Sequence, residues 1–219
     1  MNGFTIDFAT KSKQLLSRFH HEIGKKFPRP GAQLAYVDLF FAGALRRSYA
    51  LCRAFFDLIL VENFTAAAPL IRLQLDTYLR TRAVSLVSDP QRFFEAIVTG
   101  TQLNHIKDSA GKRLTDTYLC ERLGEGQPWV RELYRETSAF VHFSDKHALA
   151  SLAGKDRNSF TYGVCDAEEG VPDEAYDQAI VHFVRITNEV LQTFDICAEA
   201  AASVLTPSVA TIAGPHPEG

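Results

Sequence analysis

The stretch from about Leu34 to Glu62 constrains the fold more than any other, because it reads as one unbroken helix, about 43 Å long at the standard rise per residue. Projected at 100° per residue, Phe40, Phe41, Leu51, Cys52, Phe55, Phe56, Leu58 and Ile59 fill a broad apolar arc. Arg46, Arg53 and Asp57 are left as a narrow polar stripe. A helix with so wide an apolar face needs neighbours on most sides, and its expected place is the centre of a helical bundle.

The rest of the chain supplies those neighbours. From about Thr10 to Phe27, Leu15, Leu16, Phe19, Ile23 and Phe27 recur at helical spacing until PRPG stops the run. A third helix is expected from near Thr65 to Ser88, with Pro69 in its first turn. On it Arg72 and Asp76, one turn apart, share a face with Leu75, Leu79, Ala83 and Leu86, while Gln74, Thr77 and Thr81 lie opposite. This pattern predicts an Arg72–Asp76 ion pair on a core-facing or groove-facing surface. Ser88 or Asp89 caps a short fourth helix with Pro90 in its first turn. Short helical pieces joined by loops are expected between Thr99 and Gly126, then a helix from Gln127 to about Phe143, and finally a long amphipathic helix from Asp173 to about Leu205. Between the last two, HALASLAG, KDRN and SFTYGVCD read as strand, turn and strand. The expected fold is therefore all-α, a helical bundle of about five or six helices with a small β-hairpin inserted before the C-terminal helix. One domain is expected over residues 1–206, with a flexible C-terminal tail at 207–219, where small residues and prolines bury too little surface to order.

A chain of 219 residues, 46% hydrophobic, can bury a real core, and its net charge of −3 excludes nucleic-acid binding driven by broad positive charge. Any basic site must be small. Cys52, Cys120, Cys165 and Cys197 form no CxxC pair and read as buried thiols of a reducing compartment. There is no signal-peptide pattern and no apolar run of membrane-spanning length, so a cytoplasmic protein without membrane association is expected. His142, Asp145 and His147 crowd the segment HFSDKH, yet they cross a helix end without HExxH or cysteine support. No metal and no cofactor is expected.

On the Gln127 to Phe143 helix, Trp129, Val130, Leu133, Tyr134, Thr137, Phe140 and Val141 cover one arc, and that side is expected to pack inward. Arg131, Arg135, Ser138 and His142 fall within about 60° on the other side. A histidine that titrates near neutral pH can take the proton of a ribose 2′-hydroxyl or protonate a leaving 5′-oxygen. An arginine beside it can hold the phosphate at two points and offset the charge that grows in the transition state. The same stripe is also what any amphipathic helix turns to solvent.

RETSAFVH, Arg135 to His142, resembles the signature of the HEPN superfamily of helical bundles, an arginine and a histidine separated by four to six residues. The order of an R-x-x-x-D helix, LIRLQLDTYLR, before a Y-x-x-x-S-x-x-x-H helix, YRETSAFVH, is also similar to a bacterial family of helical proteins grouped near HEPN and abortive-infection proteins. This resemblance implies a metal-independent endoribonuclease in a toxin–antitoxin or antiphage setting, with RNA as substrate, an antitoxin or regulatory protein as a partner, and a homodimer that brings the sites together. It implies Arg135 and His142 as catalytic residues; their neighbours in the sequence add Arg131 and Ser138 as expected substrate contacts and Arg72 with Asp76 as an expected supporting pair. The residue after the arginine departs from the pattern: active members commonly carry Asn, Asp or His there, and this chain carries Glu136. Two other readings remain open from the residues: a non-catalytic helical interaction or sensor protein, and a small-molecule-binding bundle with Arg72 as the anion contact.

Overall fold

In the computed structural model the described residues are 10, 12–21, 34–141, 152–156, 159–162 and 171–204, with side-chain surroundings described for 10, 12–21, 34–140 and 171–194. Among them the fold is all-α, with seven helices. These are α1 (residues 12–21), α2 (Tyr36–Leu60), α3 (Phe64–Arg82), α4 (Pro90–Val98), α5 (Asp116–Gly126), α6 (Trp129–Val141) and α7 (Asp173–Val204). The count exceeds the expected five or six because the glycine-bearing region before Gly126 holds a full helix, α5. The tail at 207–219 lies outside the described residues, as do residues 22–33. The hairpin expected over 147–166 lies largely outside them as well. Only two short antiparallel segments, Leu152–Asp156 and Ser159–Tyr162, are described there, which is too little to support the hairpin as expected.

Local chemistry fixes the helix ends. Asn63 Oδ1 accepts the Ala66 amide at 3.0 Å, Asp89 Oδ1 accepts the Arg92 amide at 3.0 Å, and Thr115 Oγ1 accepts the Tyr118 amide at 3.3 Å, so each satisfies a backbone donor that the first helical turn leaves open. Pro90 opens α4 as expected. Pro69 does not open α3: the helix begins at Phe64, which puts the proline in its second turn. The third helix is also shorter than expected, since it tightens into a 3₁₀ turn over Ala83–Leu86.

The centre of the bundle is shared by α2 and α3. Helix α3 packs against α2, α6 and α7 and touches α5, while α2 packs against α3, α4 and α7 and meets α1 through Tyr49, whose ring lies against Phe19 and His20. The stripe on α3 expected to face away from the core is buried: Gln74 is 0% exposed, Thr81 1% and Thr77 3%. Each threonine hydroxyl donates within its own helix, Thr77 to Leu73 O at 3.1 Å and Thr81 to Tyr78 O at 2.9 Å. With its proton placed in this way, a threonine enters the core at little cost. Gln74 donates through Nε2 to Ser48 Oγ on α2 and to Thr187 Oγ1 on α7, the latter at 2.9 Å, and so ties three helices together. Around this amide the core is aromatic and aliphatic, with Phe55 stacked on Phe183 at 4.1 Å between ring centres. Cys52 and Cys120 are buried as expected, and burial pushes their thiols up to about 12 and about 11 respectively.

Candidate functional site

Helix α6 follows α5 after Gln127 and Pro128 and is anchored along its inner side by Val130, Leu133 and Thr137, all buried. The entry to it is held by polar contacts. Tyr78 on α3 donates to Gln127 Oε1 at 2.5 Å, and Gln127 Nε2 donates to Glu189 on α7 at 3.4 Å. Burial pushes the Tyr78 phenol up to about 12, so it stays protonated and acts as a donor. Next to it, Arg185 of α7 lies over the Trp129 ring at 4.5 Å from the ring centre. Contacts from α3 and α7 thus fix the start of α6.

The four residues of the expected site fare differently. Arg135 is exposed, with no hydrogen-bond or ion-pair partner among the described residues. Arg131 is exposed but engaged, because its Nη2 donates to Glu121 O of α5 at 2.7 Å. Its aliphatic stem crosses α5 over Gly124, where a β-carbon would lie 2.4 Å from Arg131 Cγ. Ser138 turns its hydroxyl back to Tyr134 O at 2.6 Å. His142, with Asp145 and His147, lies outside the described residues, one position past the end of α6. Among the described residues no cluster of histidine, cysteine and carboxylate side chains is arranged to hold a metal ion.

The expected Arg72–Asp76 pair is not the one that forms. Arg72 places its guanidinium over the Tyr134 ring of α6, 3.9 Å from the ring centre. Asp76 is taken by two other arginines: Arg80 Nε donates to Oδ1 at 2.7 Å and Arg47 Nη2, from α2, to Oδ2 at 3.1 Å. Arg47 also donates through Nε to Thr77 Oγ1 at 3.0 Å, and Arg80 reaches Asp116 of α5 at 3.4 Å. The physical reason is orientation along the helix. An acid one turn before a base is favoured over the reverse order, which selects Asp76 with Arg80 over Arg72 with Asp76. LIRLQLDTYLR contains both spacings, so Arg80 was detectable in the sequence. Arg47, 29 positions before Asp76, left no local signal.

No family model, no curated protein and no solved structure matches the chain. Among the described residues no helix is long and apolar enough to cross a membrane. The geometry of the residues themselves therefore has to carry the functional reading.

Proposed function

We propose that the chain is a HEPN-like endoribonuclease that works without metal, in the cytoplasm, as a homodimeric toxin or antiphage effector under the control of an antitoxin or regulatory protein. The observation that supports this reading most is Arg135: a guanidinium left exposed and unpartnered among the described residues, on a helix whose other side is locked into the bundle. A planar guanidinium in that state can grip a phosphodiester at two oxygens. RNA brings its own nucleophile. His142, acting as base, removes the proton of the 2′-hydroxyl. The 2′-oxygen forms its bond to phosphorus, and the bond from phosphorus to the 5′-oxygen breaks. A second proton reaches the departing 5′-oxygen from an acid, a role that the His142 of a second copy fills in a dimer. Arg135 stabilises the charge that builds on the non-bridging oxygens meanwhile. Arg131 gives Nη2 to Glu121 O and Ser138 gives its proton to Tyr134 O, so Arg131 contributes through its remaining nitrogens, and Ser138 as a donor only after it leaves its present partner.

Those same two bonds favour a second reading, a non-catalytic interaction or sensor protein, in which the outer side of α6 is stabilised for its own sake. An RNA-cleavage assay in EDTA separates the two. Under the first reading the wild-type protein cleaves, and Arg135→Ala and His142→Ala each lose activity by 100-fold or more, in the range of about 10²–10⁴ that a positioned acid or base contributes. Wild-type inactivity on a panel of single-stranded and hairpin RNAs, or equal activity in the variants, removes the enzyme and leaves the interaction protein.

A further inference from the structure

The side of α3 opposite α6 faces an opening in the bundle. Between α2, α3 and α4 lies a cleft of about 390 Å³, with Phe40, Leu39 and Ala44 on one wall, Ile97 and Val98 on the other, and Arg47 and Arg80 at its edge. A second recess of about 300 Å³ shares Phe40, Arg80 and Ile97 with it and continues towards Gly100 and Leu103. Volumes of this order lie at the lower end of those that hold small ligands, roughly 300 to 1,000 Å³, and an apolar lining with a few fixed polar groups is the usual make-up of such sites.

Two further features point to an occupant. First, Gly43 lies in the interior of α2 and lines the cleft, and a β-carbon built there meets nothing within 4 Å. Only proline is worse than glycine inside a helix, and here no close packing and no left-handed backbone demands it. What its missing side chain provides is open space in the cleft.

Second, the charged residues in the walls are both cations. Asp76 stands behind them as a brace, giving one carboxylate oxygen to each arginine. Asp116, 40% exposed and 3.4 Å from Arg80, is not part of either wall. Arg47 spends Nε and Nη2 on Thr77 and Asp76, and Arg80 spends Nε and Nη2 on Asp76 and Asp116. The remaining terminal nitrogen of each guanidinium has no partner among the described residues.

We propose that this cleft is a binding site for a small amphipathic carboxylate, its apolar body lying between Phe40 and Ile97 and its carboxylate held by the free nitrogens of Arg47 and Arg80. Preorganised guanidiniums recognise a carboxylate by paired, charge-assisted hydrogen bonds, and Asp76 supplies that preorganisation. The site is separate from the outer side of α6, so its existence does not depend on ribonuclease activity.

The test is a titration of isotope-labelled protein followed by amide chemical shifts, with octanoate as probe, octanol as the same body without the charge, and acetate as the charge without the body. Octanoate shifts the amides of Gly43, Thr77 and Arg80. Octanol binds at least about tenfold more weakly, the usual worth of a charged hydrogen bond, and acetate does not saturate. Gly43→Phe fills the cleft and abolishes binding, and Arg47→Met weakens it about tenfold by the same measure. Should Gly43→Phe not fold, Val98→Phe closes the opposite wall from an exposed position. The proposal is overturned if octanoate leaves those amides unmoved, if octanol binds as tightly as octanoate, or if a folded Gly43→Phe or Val98→Phe protein binds octanoate like the wild type.

Discussion

Replacing Gln74 with glutamate changes one buried amide into a group that can ionise, at the junction of α2, α3 and α7. Gln74 is 0% exposed, and its hydrogen-bond partners, Ser48 and Thr187, are hydroxyls that are themselves 0% exposed. Thr187 has already given its proton to Phe183 O at 2.8 Å, so only Ser48 can donate to a carboxylate at position 74. One neutral donor compensates little of the desolvation of a charge, and buried carboxylates in such surroundings titrate as high as about 8 to 9. In the unfolded chain the same group titrates near ~4.3. Folding therefore raises its pKa. The variant's stability relative to wild type is retained below that unfolded value and falls by about 1.4 kcal/mol per pH unit as pH rises towards the folded one. Between pH 5 and pH 8 the extra loss is about 4 kcal/mol, a large part of what holds an ordinary domain together. The measurement is denaturant unfolding at a series of pH values, with wild type subtracted to remove all other titrations. Gln74→Leu serves as the control: it gives up two hydrogen bonds, about 1 kcal/mol each, and its deficit does not vary with pH. A Gln74→Glu deficit that is flat from pH 5 to pH 8 would refute the argument, because the group would then be solvated or paired in the folded state.

Two shorter predictions rest on other contacts. Gly124→Ala destabilises the protein by about 1–2 kcal/mol despite the better helix propensity of alanine, because the new methyl group displaces the Arg131 stem from α5; adding Arg131→Ala to it makes the two losses less than additive in a double-mutant cycle read by thermal unfolding. Cys52 and Cys120, with their thiols pushed up to about 12 and about 11 by burial, resist alkylation at pH 8 in the native state and react once the chain is unfolded, as peptide mapping by mass spectrometry can check.

The sequence was most readable where burial and apolarity coincide. Cys52, Phe55, Phe56 and Ile59 on α2, and Ile180, Phe183, Ile186, Val190, Leu191 and Phe194 on α7, are buried along the sides that their spacing marks, with Phe40, Phe41, Leu51 and Leu58 partly buried beside them. It misled where polar residues are buried and hydrogen-bonded within the bundle. Thr77 and Thr81 look like a wet stripe by composition, but their hydroxyls bond to their own helix, and Gln74 finds partners only when residues 26 and 113 positions away arrive beside it. One of the two central helices, α3, was thus disguised as a half-exposed one. Helix α5 was hidden for a related reason: Gly124 reads as a loop residue, although its role is to let the Arg131 stem pass at close range. In the candidate site the intrahelical ion pair was legible from orientation, as Asp76 with Arg80, whereas Arg47 belongs to a tertiary contact that no local pattern encodes.

The outward position of Arg135 follows from what its neighbours do rather than from its own preferences. Tyr134 lies beneath Arg72, and Val130, Leu133 and Thr137 are buried. Together they fix the rotation of α6 about its axis, and the residue after Tyr134 is carried about 100° round by the helical period. Asp76, released from that expected role, braces Arg47 and Arg80 on the other side of the same helix. Helix α3 thus holds one arginine over the ring that orients α6 and two at the edge of the cleft.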